Sequence, residues 1–188
     1  MNRNGEVNEW RMDNWDRSSG ILSEIKWKGI ICKEIEKYGL DKWKNGMHGK
    51  TSLTRYQAKE APRRELFYDG SLGSSLLFKA RTESVELNSR TYRWQENDDK
   101  CKFCAGQFKE DVSHWIVECK LYDQERTCFI IKMVEIIGEE RWEVVRNRED
   151  QGLGFILGIE TDVPVRVIEE TKAFLEQLWY KKKNKLDE

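Results

Sequence analysis

The sequence predicts a mainly α fold, a helical domain interrupted by one small hairpin-like turn at a cysteine cluster. Three observations carry this. Two prolines in 188 residues leave long stretches free of helix breakers. Apolar residues recur at helical period through most of those stretches. Three of the five cysteines and one of the two histidines then crowd into CKFCAGQFKEDVSHWIVEC, Cys101 to Cys119.

The first segment, 1–49, is expected to be helical. ILSEIKWKGIICKEIEKYG sets Ile21, Ile25, Cys32 and Ile35 near one face, with Gly39 as its C-cap. A second short helix is expected from Asp41, and NGMHGK reads as a loop with an exposed His48. In the next segment, 50–160, Ser52 is placed to cap a short helix that Pro62 ends, and Asp69-Gly70 is a turn signal. Ser71 opens LGSSLLFKARTE, with Leu72, Leu76 and Ala80 at i, i+4 and i+8. Beyond the histidine, Trp115, Leu121, Tyr122, Phe129, Ile130, Met133, Ile136 and Ile137 recur at helical spacing as far as Gly138. EERWEVVRNRED predicts a shorter helix, and GLGFILG an apolar turn whose glycines lack the dinucleotide-binding spacing.

The last segment, 161–188, is an amphipathic helix with a basic tail. Val167, Ile168, Thr171, Phe174, Leu175, Leu178 and Trp179 form one stripe. Asp162 or Thr161 is placed to cap it, Pro164 suits its first turn, and lysines gather at the end the helix dipole favours.

Composition excludes several classes. With 33 basic and 34 acidic residues, bulk charge gives no argument for nucleic acid. No apolar run is long enough to span a membrane, and the polar N-terminus lacks the core of a signal peptide. Eight tryptophans argue against general disorder. The odd cysteine count points to a reducing compartment, hence an intracellular protein of cytoplasm or nucleus.

There a Cys/His cluster reads as a metal site. The spacing is Cys-x2-Cys-x9-His-x4-Cys. Zinc takes four soft or borderline ligands in a tetrahedron. Cys101 and Cys104 supply two from one tight turn, which Gly106 helps to reverse, and His114 and Cys119 supply two from the helix that follows. The x4 spacing predicts an irregularity: five α-helical residues turn about 500°, leaving the two side chains about 140° apart. The helix is therefore expected either to start near His114 with an irregular first turn or to have its start straddled by the ligand pair, with Ser113 or Asp111 as its cap. Four such ligands fill the coordination sphere, so the metal is expected to be structural, one Zn²⁺ per chain. Two other readings are a redox pair at Cys101 and Cys104, which needs a βαβ context, and a chance cluster.

The Cys-x2-Cys pair, its acidic spacer and HWIVEC resemble the CCHC zinc knuckle that follows the reverse transcriptase domain in non-LTR, LINE-like retrotransposon polyproteins. SLTRYQAKE, YDGSLGSSLLFKART and LNSRTYRW resemble the segment leading into that knuckle, and CKLYDQER the exit from it. The resemblance spans about Lys50 to Gly158 and implies that Cys101, Cys104, His114 and Cys119 are the zinc ligands. It also implies an ancestral task of gripping RNA or single-stranded DNA. The chain departs from the parent family in lacking a Tyr-x-Asp-Asp element and any endonuclease signature. Asp98 and Asp99 sit beside the knuckle without strand context. No polymerase or nuclease activity is expected, and the chain reads as a free-standing C-terminal piece.

Arg90, Arg93, Lys100 and Lys102, interleaved with Tyr92 and Trp94, form a basic run suited to phosphates and stacking, and Phe103 stands at the turn tip. Against this stands a solvated loop. Trp115 is expected to pack inward, and Cys32 and Cys128, within apolar stretches, to be buried thiols. Residues 105–162 hold seven basic and thirteen acidic residues and are expected to face away from nucleic acid. The second function class is a protein-interaction scaffold that meets its partner through the C-terminal helix.

Overall fold

The computed structural model describes residues 24–57, 59, 62, 65–91, 98–105, 108–160 and 162–186. The chain divides into two units, 1–43 and 44–188. The described residues are mainly helical and contain no strand. They also contain no helix long and apolar enough to cross a membrane.

Helix α1, Glu24–Met47, corrects the first expectation. It runs through Gly39 and Asp41 without a break, because Gly39 does not take the left-handed conformation that a C-cap needs. Gly49, with φ of 76°, is the left-handed residue that follows it. Cys32 is exposed rather than buried, as are its neighbours Ile31 and Ile35. An apolar stripe is buried only where another element covers it, and that is a tertiary fact. His48 is exposed, as expected.

In the second unit, Ser52 lies inside a 3-10 turn, Thr51–Leu53, rather than capping a helix, and one turn of α-helix follows as α2, Thr54–Gln57. Helix α3, Leu72–Arg81, starts as predicted: the Ser71 hydroxyl accepts the Ser74 N–H. Leu76 and Ala80 are buried, whereas Leu72 in the first turn is not. A single turn, α4, covers Asn88–Thr91. The predicted long helix after the histidine is split into a π turn, His114–Glu118, a 3-10 turn, Lys120–Tyr122, and α5, Asp123–Ile137. Cys128 is exposed on α5 although Phe129 beside it is buried. One position turns a helix by about 100°, which suffices to change face. Gly138, at φ of 83°, ends α5 before α6, Glu139–Arg146. GLGFILG holds the one-turn α7, Leu153–Ile156, with both glycine amides of its start accepted by the Asp150 carboxylate.

Helix α8, Val165–Leu186, is the axis of the unit. Helices α3 and α5 pack on it, α7 touches it, and α6 packs on α5. All of its predicted stripe is buried except Trp179, which is half-buried. Each large apolar side chain so covered contributes roughly 1.5–3 kcal/mol. Phe174 stacks on Phe129 of α5 with ring centroids 4.4 Å apart. On the other side α3 approaches closely at Gly73, where a Cβ would lie 2.8 Å from that of Lys172. Helix α8 begins one residue after Pro164, whose carbonyl accepts the Val167 N–H. Asp162 lies further upstream and Thr161 outside the described residues, so neither is seen to cap it.

The apolar link is held by a buried cation. Arg81 is 0% exposed. Its Nε donates to the Leu157 carbonyl at 2.6 Å and its Nη2 to that of Gly158 at 2.9 Å. Its Nη1 bonds Glu65 at 2.7 Å. Gly158 must be glycine here: φ is 62°, and a Cβ would stand 2.0 Å from Ile168 Cδ1. Arg81→Met leaves two buried carbonyls without their donor and Glu65 with Lys59 as its remaining cation. The expected loss is about 3–5 kcal/mol of unfolding free energy in a urea titration. A loss below about 1 kcal/mol would show that the link is held by its apolar contacts alone.

Candidate metal centre

Four short elements converge here. Cys101 precedes a 3-10 turn, Lys102–Cys104, and the next residue, Ala105, is left-handed with φ of 53°. The reversal thus falls on Ala105; Gly106 lies outside the described residues. The returning segment pairs over one bridge only. Lys100 and Lys109 form an antiparallel bridge, the Cys101 N–H donates to Phe108 O at 2.8 Å, and the Glu110 N–H to Asp99 O at 2.8 Å. The hairpin-like turn is therefore present as one rung rather than a sheet.

Asp111, rather than Ser113, caps the next element: its carboxylate accepts the His114 N–H at 3.0 Å. The π turn that follows is closed by the Cys119 N–H donating to His114 O at 2.8 Å. This i to i+5 bond is the predicted irregularity. It brings residues five apart to the same side, as an α-helix does for residues four apart.

The donor atoms of Cys101, Cys104, His114 and Cys119 all lie within 4.8 Å of one another, and such a group can hold a metal ion. Cys119 Sγ is 3.8 Å from Cys101 Sγ and 3.7 Å from Cys104 Sγ. These are not disulfide distances, which are about 2.05 Å. They match the edge of a tetrahedron of sulfurs about 2.3 Å from a central zinc, about 3.8 Å. Cys101 and Cys119 are each 1% exposed. Burial pushes both thiols up, while N–H groups two residues on, of Phe103 and Leu121, pull them down by pointing at the sulfurs. A bound cation reverses the effect of burial and favours the thiolates.

The histidine is oriented for the same point. His114 Nε2 is buried with no hydrogen-bond partner, while Nδ1 faces Glu118 Oε2 at 3.4 Å. A carboxylate on one ring nitrogen presents the other as a ligand. Phe108 covers the ring in a stacked arrangement, centroids 5.4 Å apart. Glu118 was not among the residues singled out from the sequence, although His-x3-Glu on one helical face is a legible signal. Lys100, Lys102 and Lys120 flank the ligands and are exposed, each able to offset the net charge of three thiolates on a divalent ion.

The structure divides the other candidate residues. Trp115 is buried, as expected. Phe103 is half-buried against the core, and Lys102 beside it is exposed. Both line a groove of about 260 Å³ with Trp179 and Lys183 of α8. Arg90 is exposed in a different groove, with Arg55, Lys109 and Ser113. Lys100 contributes its carbonyl to Asn88 Nδ2 at 2.7 Å, and its side chain lines neither groove. Arg93, Tyr92 and Trp94 lie outside the described residues. Asp98 and Asp99 serve the hairpin: Asp98 Oδ1 accepts the Lys100 N–H, and Asp99 O that of Glu110.

Thiol chemistry separates the two kinds of cysteine. With metal bound, iodoacetamide should modify Cys32 and Cys128 and spare Cys101, Cys104 and Cys119, as read by intact and peptide mass. Modification of Cys104 at the rate of Cys128 in the zinc-loaded chain would remove it from the site.

No family model matches the chain, and neither the curated proteins nor the solved structures include one that matches it.

Proposed function

We propose that this chain is a non-catalytic zinc-binding module, a CCHC knuckle set into a helical domain, that contributes to binding RNA or single-stranded DNA. The observation that carries the metal half is the convergence of three sulfurs and one unpartnered imidazole nitrogen at tetrahedral spacing. Three thiolates and one imidazole suit zinc, and four protein ligands leave no position for substrate or water, so the role is structural. The metal ties the hairpin to the π turn and through it to α5. In this reading the chain works inside the cell, where thiols stay reduced.

The nucleic-acid half is supported by the resemblance of residues 50–158 to the knuckle region of LINE-like reverse transcriptases, and by the exposure of Lys102 at the knuckle tip beside a half-buried Phe103. The alternative is a zinc-stapled protein-interaction scaffold. The apolar stripe of α8 is covered by α3 and α5. A partner meeting this helix would therefore use its polar face, which weakens the motive for that alternative.

Elemental analysis should find one zinc per chain. Cys104→Ser should lose it, and Cys32→Ser and Cys128→Ser should keep it. Chelation should release hydrogen-exchange protection first at residues 100–122, since structural zinc contributes roughly 10–16 kcal/mol of folding-coupled binding energy in small modules. Stoichiometric zinc in Cys104→Ser would show the ligand set to be wrong.

A gel shift tests the second half. Single-stranded RNA or DNA should be retarded at micromolar protein, with affinity falling steeply as salt rises. The same preparations should extend no primer with Mg²⁺ or Mn²⁺. Absence of any shift at low salt would favour the scaffold.

A further inference from the structure

We propose that single-stranded nucleic acid is held in the groove between the tip of the Cys-x2-Cys turn and the C-terminal end of α8. There Phe103 and Trp179 take unpaired bases, and Lys102 and Lys183 take the phosphates beside them. This rests on the reading that the module binds nucleic acid, and it joins Lys102 and Phe103, which the sequence singles out, to Trp179 and Lys183, which only the fold brings beside them.

The two walls lie far apart in the chain. Lys102 and Phe103 stand between two metal ligands, while Trp179 and Lys183 are one helical turn apart on α8. The floor is the ion pair between Lys182 and Glu110, 2.7 Å long, with both side chains nearly fully buried. That pair joins the knuckle to α8, so the separation of the walls is set by the fold. Lys183 lies over the Trp179 ring, 5.0 Å from its centroid, so a base stacking on that ring displaces the lysine toward the adjoining phosphate. Neither Lys102 nor Lys183 has a carboxylate partner among the described residues, in contrast to Lys181 and Lys182, although Glu86 also lines the groove.

The chemistry fits one class of occupant. Aromatic faces stack on any unpaired base, and lysines follow the backbone without reading sequence. Duplex DNA hides its base faces and would use only the lysines. The second groove, with Arg55, Arg90 and Lys109, contains no aromatic residue, and Glu83 neutralises Arg55. It lacks the stacking component.

The metal and the groove are therefore linked. Zinc fixes the turn that carries one wall, and stripping it should abolish binding even though α8 persists.

The test is fluorescence anisotropy of a fluorescein-labelled oligo(dT) of about twelve nucleotides, a length within the usual range of such sites. Binding to the zinc-loaded full chain is followed across a series of salt concentrations. Lys102→Gln/Lys183→Gln should lower the slope of log K against log salt by about 1.4, at about 0.7 per single-strand contact. Lys183→Gln alone, remote in sequence from the ligands, should lower it by about 0.7. Phe103→Leu should weaken binding about fivefold or more at unchanged slope, as loss of one stacked base requires. Lys109→Gln/Lys132→Gln, equal in charge but outside the groove, should keep the wild-type slope. Wild-type binding with unaltered slopes in both Lys183 variants would overturn the groove and leave the nucleic-acid reading standing. No binding by the wild-type chain at any salt would overturn both.

Discussion

The hydrogen bond from the Cys119 amide to the His114 carbonyl decides where the fourth donor of the cluster goes. Without it, an α-helix through this segment would carry the two residues to different sides, and the cluster would lose a corner. The wider turn is fixed from both ends. Asp111 caps the segment at its start. At its end Arg126, one turn into α5, donates from Nε to Ile116 O at 3.1 Å and from Nη2 to Cys119 O at 2.8 Å. Both carbonyls lie where the π turn gives way to the 3-10 turn, and Cys119 O also accepts the Tyr122 N–H at 3.1 Å. One arginine thus braces the irregular backbone between His114 and Cys119.

A second constraint is how a chain with 36% charged residues builds a core. Among the described residues it buries three long cations and gives each a defined set of partners. Arg81 closes the apolar link. Lys172 on α8 reaches Phe67 O, Asp69 and Glu169. That lysine, with the Ser71 amide, holds the Asp69 carboxyl well below the usual carboxylate range. Lys182 takes Glu110, whose other oxygen accepts the Asn88 N–H at 2.8 Å. The aliphatic stems of such residues add apolar area while their heads end in hydrogen bonds. A buried ion pair adds little net stability against an apolar pair, but breaking one is costly, so these contacts specify one arrangement of α3, the hairpin and α8.

That arrangement reorganises what looked like a single basic run. Arg90 and Lys102 are twelve positions apart and open on different grooves. Lys182 and Lys183 at the C-terminal end, which the helix dipole alone would explain, arrive beside the Cys101–Cys104 turn. Charge that is diffuse along the chain becomes local in space, and it does so next to two aromatic rings.

The sequence by itself determined the helical class, the start of α3 at Ser71, the inward stripe of α8, the four clustered donors and the need for a distorted turn between His114 and Cys119. Each of these follows from local rules: a side-chain cap, a 3.6-residue period, or the angle that five helical residues subtend. Tertiary structure alone decided the rest. Burial of an apolar stripe depends on a covering element, so Cys32 and Cys128 could not be placed from their neighbours. A glycine ends a helix only when it turns left-handed, so α1 passes Gly39 and the left-handed turn waits for Gly49. The partners of Arg81, Lys172 and Lys182 lie at sequence separations that no local period encodes. Glu118 was legible as one helical turn from His114, but its part became clear only once the opposite ring nitrogen was found aimed, unpartnered, into the cluster of sulfurs.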